Sequence, residues 1–262
     1  MTDEKVTDEK ARSKPILIAH RGYSECYPEN TLAGLQAALN TGAQCIEFDV
    51  HLSADEVPVV FHDSDVKRVT GSEGTIQEMT YSALKMLRAS EPDRFAEKYS
   101  QEPVPSLEAV LALLKQWPNA TAFVEIKTDT LKHFGVTHVV KIIMAALAEH
   151  QKHCVLISFD RTVLDHARKA GMLRIGWVVR EWNAQAQTYA QALSPDFLFC
   201  NAEKIGKEDA LWPGPWQWAL YDIVDPDVAL QWYNRGVELI ETWDIGGMLA
   251  DPRLAVEDVD DS

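Results

Sequence analysis

Residues 45–50 read Cys45-Ile46-Glu47-Phe48-Asp49-Val50, a strand-forming apolar run with two carboxylates set into it. Successive side chains of a strand point to opposite faces, so Glu47 and Asp49 share one face while Ile46, Phe48 and Val50 share the other. The apolar face needs helices over it, and the acidic face needs a reason to exist. Upstream, Leu32, Leu35, Ala38 and Leu39 recur with a helical period over 31–40; Asn30 or Thr31 can cap that helix, and Gly42 lies just past its end. Before it, 16–19 reads as a strand. Downstream, strand candidates at 57–61, 122–126, 155–158, 175–179, 197–200, 218–223 and 238–241 are separated mostly by helical patterns at 107–116, 136–150, 162–170, 184–192 and 226–235. That alternation predicts a parallel sheet, and 262 residues suit one (β/α)8 TIM barrel, which commonly takes about 250.

Nine strands are one too many for such a barrel. Six residues join position 50 to position 57, whereas a parallel crossover needs about a dozen. The expectation is an antiparallel hairpin, with 57–61 as an added arm and Glu47 opposite His62. Residues 63–104 interrupt the pattern as a small insertion, expected over the barrel mouth. Residues 1–14 read as a polar arm and 252–262 as an acidic tail, leaving 15–251 as a single domain.

With 46% apolar residues the chain can bury a sizeable core. Its formal net charge of −15 argues against nucleic acid or an anionic membrane as a standing partner, so any phosphate site must be a local basic or metal-bearing patch. No apolar run approaches the ~20 residues of a membrane span, and the polar N-terminus has no signal-like apolar stretch; a cytoplasmic location is expected. Cys26, Cys45, Cys154 and Cys200 form no Cys-x-x-Cys pair. The last three lie in or beside apolar strands and read as reduced, buried thiols.

A lone acid or histidine at a strand end is more often a solvated polar group; several converging at strand ends change the reading. Two like charges side by side repel, and burying them calls for a compensating cation. Glu125, in Phe123-Val124-Glu125-Ile126-Lys127, offers a third carboxylate, and Lys127 could hold a carboxylate or a phosphate oxygen. Oxygen donors suit Mg²⁺ or Ca²⁺. His20 and His62 also close apolar strands and suggest an acid–base pair. Arg21 is suited to bidentate phosphate contact, and Gly22 lets the backbone bend away. No Gly-x-Gly-x-x-Gly or P-loop motif competes with this reading, and Ser158 lacks the glycines of a nucleophile elbow.

His20-Arg21-Gly22, Pro28-Glu29-Asn30-Thr31, Glu47-Phe48-Asp49-Val50, Pro58-Val59-Val60-Phe61-His62-Asp63, Val124-Glu125-Ile126-Lys127 and Ser158-Phe159-Asp160 occur in that order. The set resembles the glycerophosphodiester phosphodiesterase family. The resemblance implies that Glu47, Asp49 and Glu125 hold one divalent cation, Mg²⁺ or Ca²⁺. It likewise implies that His20 and His62 exchange protons and that Arg21 and Lys127 contact phosphate. The substrate would be a small-molecule glycerophosphodiester, cleaved to sn-glycerol 3-phosphate and an alcohol by water or by its own 2-hydroxyl. The last third departs from the family pattern at Tyr221-Asp222 and at Glu241-Thr242-Trp243. Trp218, Tyr221, Glu241 and Trp243 are therefore candidate walls for the alcohol side of the pocket. Two rival readings are a lysophospholipase D-type enzyme, with Met79, Leu84, Met86 and Leu87 as an apolar entrance, and a barrel that binds without catalysing. The oligomeric state is not legible.

Overall fold

Eight of the nine expected strands close on themselves. In the computed structural model, which describes residues 14–255, the strands are β1 (Ile16–Ala19), β2 (Cys45–Leu52), β3 (Pro58–Val60), β4 (Thr121–Ile126), β5 (Cys154–Ser158), β6 (Ile175–Val179), β7 (Phe197–Asn201), β8 (Gln217–Tyr221) and β9 (Leu239–Thr242). Parallel pairing runs β1-β2-β4-β5-β6-β7-β8-β9 and returns from β9 to β1, with helices in the connections. This is a (β/α)8 barrel. The ninth strand, β3, pairs antiparallel with the end of β2, as its short connection requires. Its register sets Val50 against Val60, and the Phe61 N–H donates to the Asp49 carbonyl at 3.0 Å. His62 is therefore one residue out of step with the expected position opposite Glu47 and falls level with Phe48, because the turn between Leu52 and Pro58 holds one residue more than that pairing allows.

Alternation along each strand sorts side chains into two cores. Ile46, Phe48 and Val50 join the large cluster between the barrel and its helices, together with Leu35 and Leu39 of the helix Leu32–Asn40. The inward set includes Ile18, Cys45, Phe123, Val155, Val178 and Leu239. Phe123 meets Phe197 and Phe199 edge-on, each at 5.2 Å between centroids, and fills the barrel's lower part. Gly176 belongs to this filling: a Cβ there would stand 2.8 Å from Ile157 Cγ2. Two residues further along the strands, the inward positions become Glu47 above Cys45, Glu125 above Phe123, Tyr221 above Ala219 and Glu241 above Leu239. The barrel is thus apolar below and acidic at the C-terminal strand ends, where barrel active sites lie.

The same alternation corrects one sequence expectation. Ala219 points inward, so Trp218 points out and packs with Trp182 and Trp212 among the helices; its indole N–H donates to the Trp212 carbonyl at 3.2 Å. Trp218 is not a pocket wall.

Residues 63–104 carry short helices around a small cluster of their own, in which Phe61, Val69, Ile76 and Leu84 are buried. Met79 and Leu87 pack against that cluster, leaving Met86 exposed by itself, so the four do not make an apolar entrance. Two helices not expected from sequence, Thr128–Phe134 and Ile245–Ala250, follow β4 and β9. Cys45, Cys154 and Cys200 are buried, Cys26 is exposed, and none of the four is in a disulfide. Residues 1–13 and 256–262, most of the expected arm and tail, lie outside the described residues. At the near end of that expected tail, Leu254 is buried in the large core, and the Lys14 ammonium donates to the Ala255 carbonyl. No helix among the described residues is long and apolar enough to cross a membrane.

Candidate active site

The turn after β1 carries His20 and Arg21 over the acidic layer. The His20 N–H donates to the Thr242 carbonyl at 2.9 Å, continuing the β1–β9 ladder by one residue. Arg21 adopts a left-handed φ of 55°, and its backbone N–H donates to Glu47 Oε2 at 3.1 Å. Gly22 follows at φ 84°; a Cβ there would lie 2.7 Å from the Gly34 carbonyl carbon, so this turn and the first turn of the next helix fit only with glycine. Thr31, rather than Asn30, caps that helix, accepting from the Gly34 N–H at 3.1 Å. Asn30 is used differently: Nδ2 donates to Asp49 Oδ2 at 2.8 Å, and the Asp49 N–H donates to Asn30 Oδ1 at 3.1 Å.

Glu47, Asp49 and Glu125 each offer an oxygen within 4.8 Å of the others, a set that could hold a metal ion. Glu47 Oε1 is buried with no hydrogen-bond partner, which suits a ligand waiting for a cation. Two bases share the site. Lys127 Nζ lies 3.1 Å from Asp49 Oδ1 and 2.9 Å from Glu125 Oε1, and Arg21 Nε lies 3.3 Å from Asp49 Oδ2. Their charges hold the Asp49 carboxyl well below the usual carboxylate range despite the opposing cost of burial. Burial, together with the neighbouring acids, pushes Glu47 up, and Glu241 as well.

His20 and His62 line one cavity of about 120 Å³ with Arg21, Glu125, Lys127 and Tyr221. Burial, helped by the Arg21 charge, lowers His20 to about 3, so its imidazole is neutral near pH 7. His62 Nδ1 lies 2.6 Å from Asp63 Oδ1, and Arg68 Nε donates to Asp63 Oδ2 at 2.6 Å. Arg68 also grips both Glu29 oxygens, at 2.6 and 3.0 Å, and Glu29 in turn meets Arg21 at 3.2 Å. A chain of alternating charges thus ties the two histidine segments together.

The family model for the glycerophosphoryl diester phosphodiesterase family matches residues 20–206, from the first site histidine through β7. The chain belongs to that family. A glycerophosphodiester phosphodiesterase of Caldanaerobacter subterraneus subsp. tengcongensis is 32% identical over 193 residues, 71% of this chain and 77% of that protein. Among solved structures, a phosphodiesterase of Oleispira antarctica, in complex with the product sn-glycerol-3-phosphate, superposes with a TM-score of 0.80 at 26% identity. That match covers 90% of this chain and 96% of the other. The fold alone is shared at 21% identity with a putative glycerophosphoryl diester phosphodiesterase of Silicibacter pomeroyi, at a TM-score of 0.78.

In this phosphodiesterase, a second hollow of about 350 Å³ adjoins the first through His20, Arg21 and Asp222, and Trp243 and Arg94 form parts of its wall. Three of the four expected wall residues, Tyr221, Glu241 and Trp243, therefore face the site. Sequence reasoning missed Asp63 and Arg68 as supports for His62, and the pairing of Asn30 with Asp49. It missed His51 too. That buried imidazole has Nε2 at 3.0 Å from the His62 carbonyl and Nδ1 at 2.9 Å from Gln77 Nε2. A carbonyl only accepts and the Gln77 amide nitrogen only donates, so His51 is neutral with its proton on Nε2. An inward polar residue on β2 beyond Asp49 was the available signal.

Proposed function

We propose that this phosphodiesterase hydrolyses glycerophosphodiesters to sn-glycerol 3-phosphate and an alcohol, with His20 and His62 as its proton-transfer pair. The observation that carries the reading is that both imidazoles open onto one cavity whose other polar walls include Arg21, Lys127 and Glu125. The Oleispira antarctica relative with product bound is consistent with this substrate class.

Glu47, Asp49 and Glu125 would hold one Mg²⁺ or Ca²⁺, which when bound neutralises charge on the phosphate oxygens. Arg21 and Lys127 orient the diester: their donors already converge on Asp49 and can turn to an incoming phosphate oxygen. His20, whose Nε2 stands beside the Glu47 and Glu241 carboxylates, takes the proton of the attacking hydroxyl. His62, its ring fixed through Nδ1 by Asp63, gives a proton to the departing alkoxide from Nε2. The apolar floor of Ile157, Val178 and Phe199 limits water around the reacting centre.

The test is a matrix of metals and substrates on protein stripped of metal. Glycerophosphocholine turnover that returns with Mg²⁺ or Ca²⁺ supports the reading. Turnover unaffected by chelation, or retained at wild-type level in His62→Ala, defeats it.

A further inference from the structure

Glu241 is left over. Glu47, Asp49 and Glu125, set against Arg21, Lys127 and one divalent ion, leave a single positive charge to meet a phosphodiester. Glu241 adds a fourth carboxylate that this balance does not need. It is 4% exposed, and its one ion-pair partner among the described residues is His20, with Nε2 3.5 Å from Glu241 Oε1. That separation is longer than a good N–H···O bond of about 2.9 Å. Glu47 Oε2 stands 3.9 Å from the same nitrogen. The three donors all lie within 4.8 Å of one another.

These separations have a ready meaning. Ligand atoms at about 2.1 Å from a tetrahedral ion are about 3.4 Å apart, close to what is seen around His20 Nε2. The three donors stand on adjacent elements: β9 carries Glu241, the end of β1 carries His20, and β2 carries Glu47. The backbone register holds them together without any help from their side chains. Glu47 can serve both ions through different oxygens: Oε2, which accepts from the Arg21 N–H, lies 3.9 Å from His20 Nε2, while Oε1, buried without a partner, remains for the Mg²⁺ or Ca²⁺ site. The donor set, one imidazole nitrogen with carboxylates, suits a borderline ion such as Zn²⁺ better than Mg²⁺ or Ca²⁺, which want oxygen shells of six or more.

We propose that His20, Glu47 and Glu241 form a second cation site, selective for Zn²⁺-like ions, whose occupation switches the enzyme off. The ion takes the Nε2 lone pair that His20 uses as a base, and it shares Glu47 with the Mg²⁺ or Ca²⁺ site. The inhibitory part rests on the function proposed above; the binding part does not.

The experiment titrates Zn²⁺ into the metal-stripped full chain in saturating Mg²⁺. Bound zinc and magnesium are counted by equilibrium dialysis and elemental analysis, and Co²⁺ serves in parallel as a visible-absorption probe. The expected result is one zinc bound while magnesium is retained, a Co²⁺ spectrum of four-coordinate N/O type, and loss of glycerophosphocholine turnover as zinc binds. In Glu241→Gln the zinc affinity falls by about tenfold or more. Zinc that displaces magnesium one for one, or a Glu241→Gln protein that binds it as the wild type does, overturns the site. The wild-type stoichiometry and spectrum decide even if the variant does not fold. If zinc binds as described but no diester is hydrolysed, the function is wrong and the site stands.

Discussion

Asn30 and Asp49 hold each other twice, side chain to side chain and side chain to backbone, at 2.8 and 3.1 Å. Asn30 sits at a left-handed φ of 57°, a conformation asparagine tolerates better than most residues, and it points one carboxylate oxygen of Asp49 while Lys127 Nζ lies 3.1 Å from the other. Asn30→Ala removes both hydrogen bonds from a buried place. We expect divalent-cation affinity to fall about 10- to 100-fold, as for other residues that orient metal ligands, with a stability loss of roughly 1–3 kcal/mol. Calorimetric Mg²⁺ or Ca²⁺ titration with a parallel denaturant melt measures both.

Asp63 turns the His62 ring, and the hydrogen bond to His62, with Arg68 behind it, keeps its carboxyl well below the usual range. His62→Ala should lower kcat by about 10²- to 10⁴-fold. Asp63→Asn should cost less and leave cation binding unchanged, because Asp63 touches no candidate ligand. Steady-state kinetics beside cation titration separates these outcomes.

His51 carries a pH prediction. Burial lowers it to about 4, whereas in the unfolded chain it titrates near 6.5. Between those values the unfolded chain binds a proton that the native protein does not. Its contribution to stability is therefore lost on acidification through that window, by about 1.4 kcal/mol per pH unit. His51→Gln should show a shallower decline in stability between pH 6.5 and 4, read from urea midpoints across pH.

Gly22→Ala tests the turn after β1. The new Cβ meets the Gly34 backbone at 2.7 Å at a φ of 84°. Strain and displacement should cost roughly 2–3 kcal/mol, and phosphodiester turnover should fall with it because Arg21 rides on the same turn. A thermal melt and an activity assay on one preparation check both.

The barrel and its acidic rim were legible because both obey a period of two. Ile46-Glu47-Phe48-Asp49-Val50 announces which side chains face in, and the brevity of the following connection announces the antiparallel arm. The last third was harder to read. Trp218, Tyr221, Glu241 and Trp243 read together as a wall, yet the strand period puts Trp218 on the opposite face from Tyr221. The supports Asp63 and Arg68 depend on where an irregular segment folds back, which no local pattern encodes, whereas His51 is marked only by its inward place on β2 beyond Asp49. The helix Ile245–Ala250 was hidden by Gly246-Gly247. Those glycines serve close approach: a Cβ at Gly246 would strike the Tyr23 hydroxyl, and Gly247 lies against its own Asp244 cap.

The antiparallel arm has a further consequence. His20 is anchored by the barrel ladder itself, whereas His62 stands beyond β3 on the segment packed around Phe61, Val69, Ile76 and Leu84. One half of the proposed proton-transfer pair is thus rooted in the main body and the other in a much smaller satellite, which can open by itself at lower cost. Heat should therefore silence the enzyme before the barrel melts, and the interval between the two temperatures reports how firmly the satellite is moored.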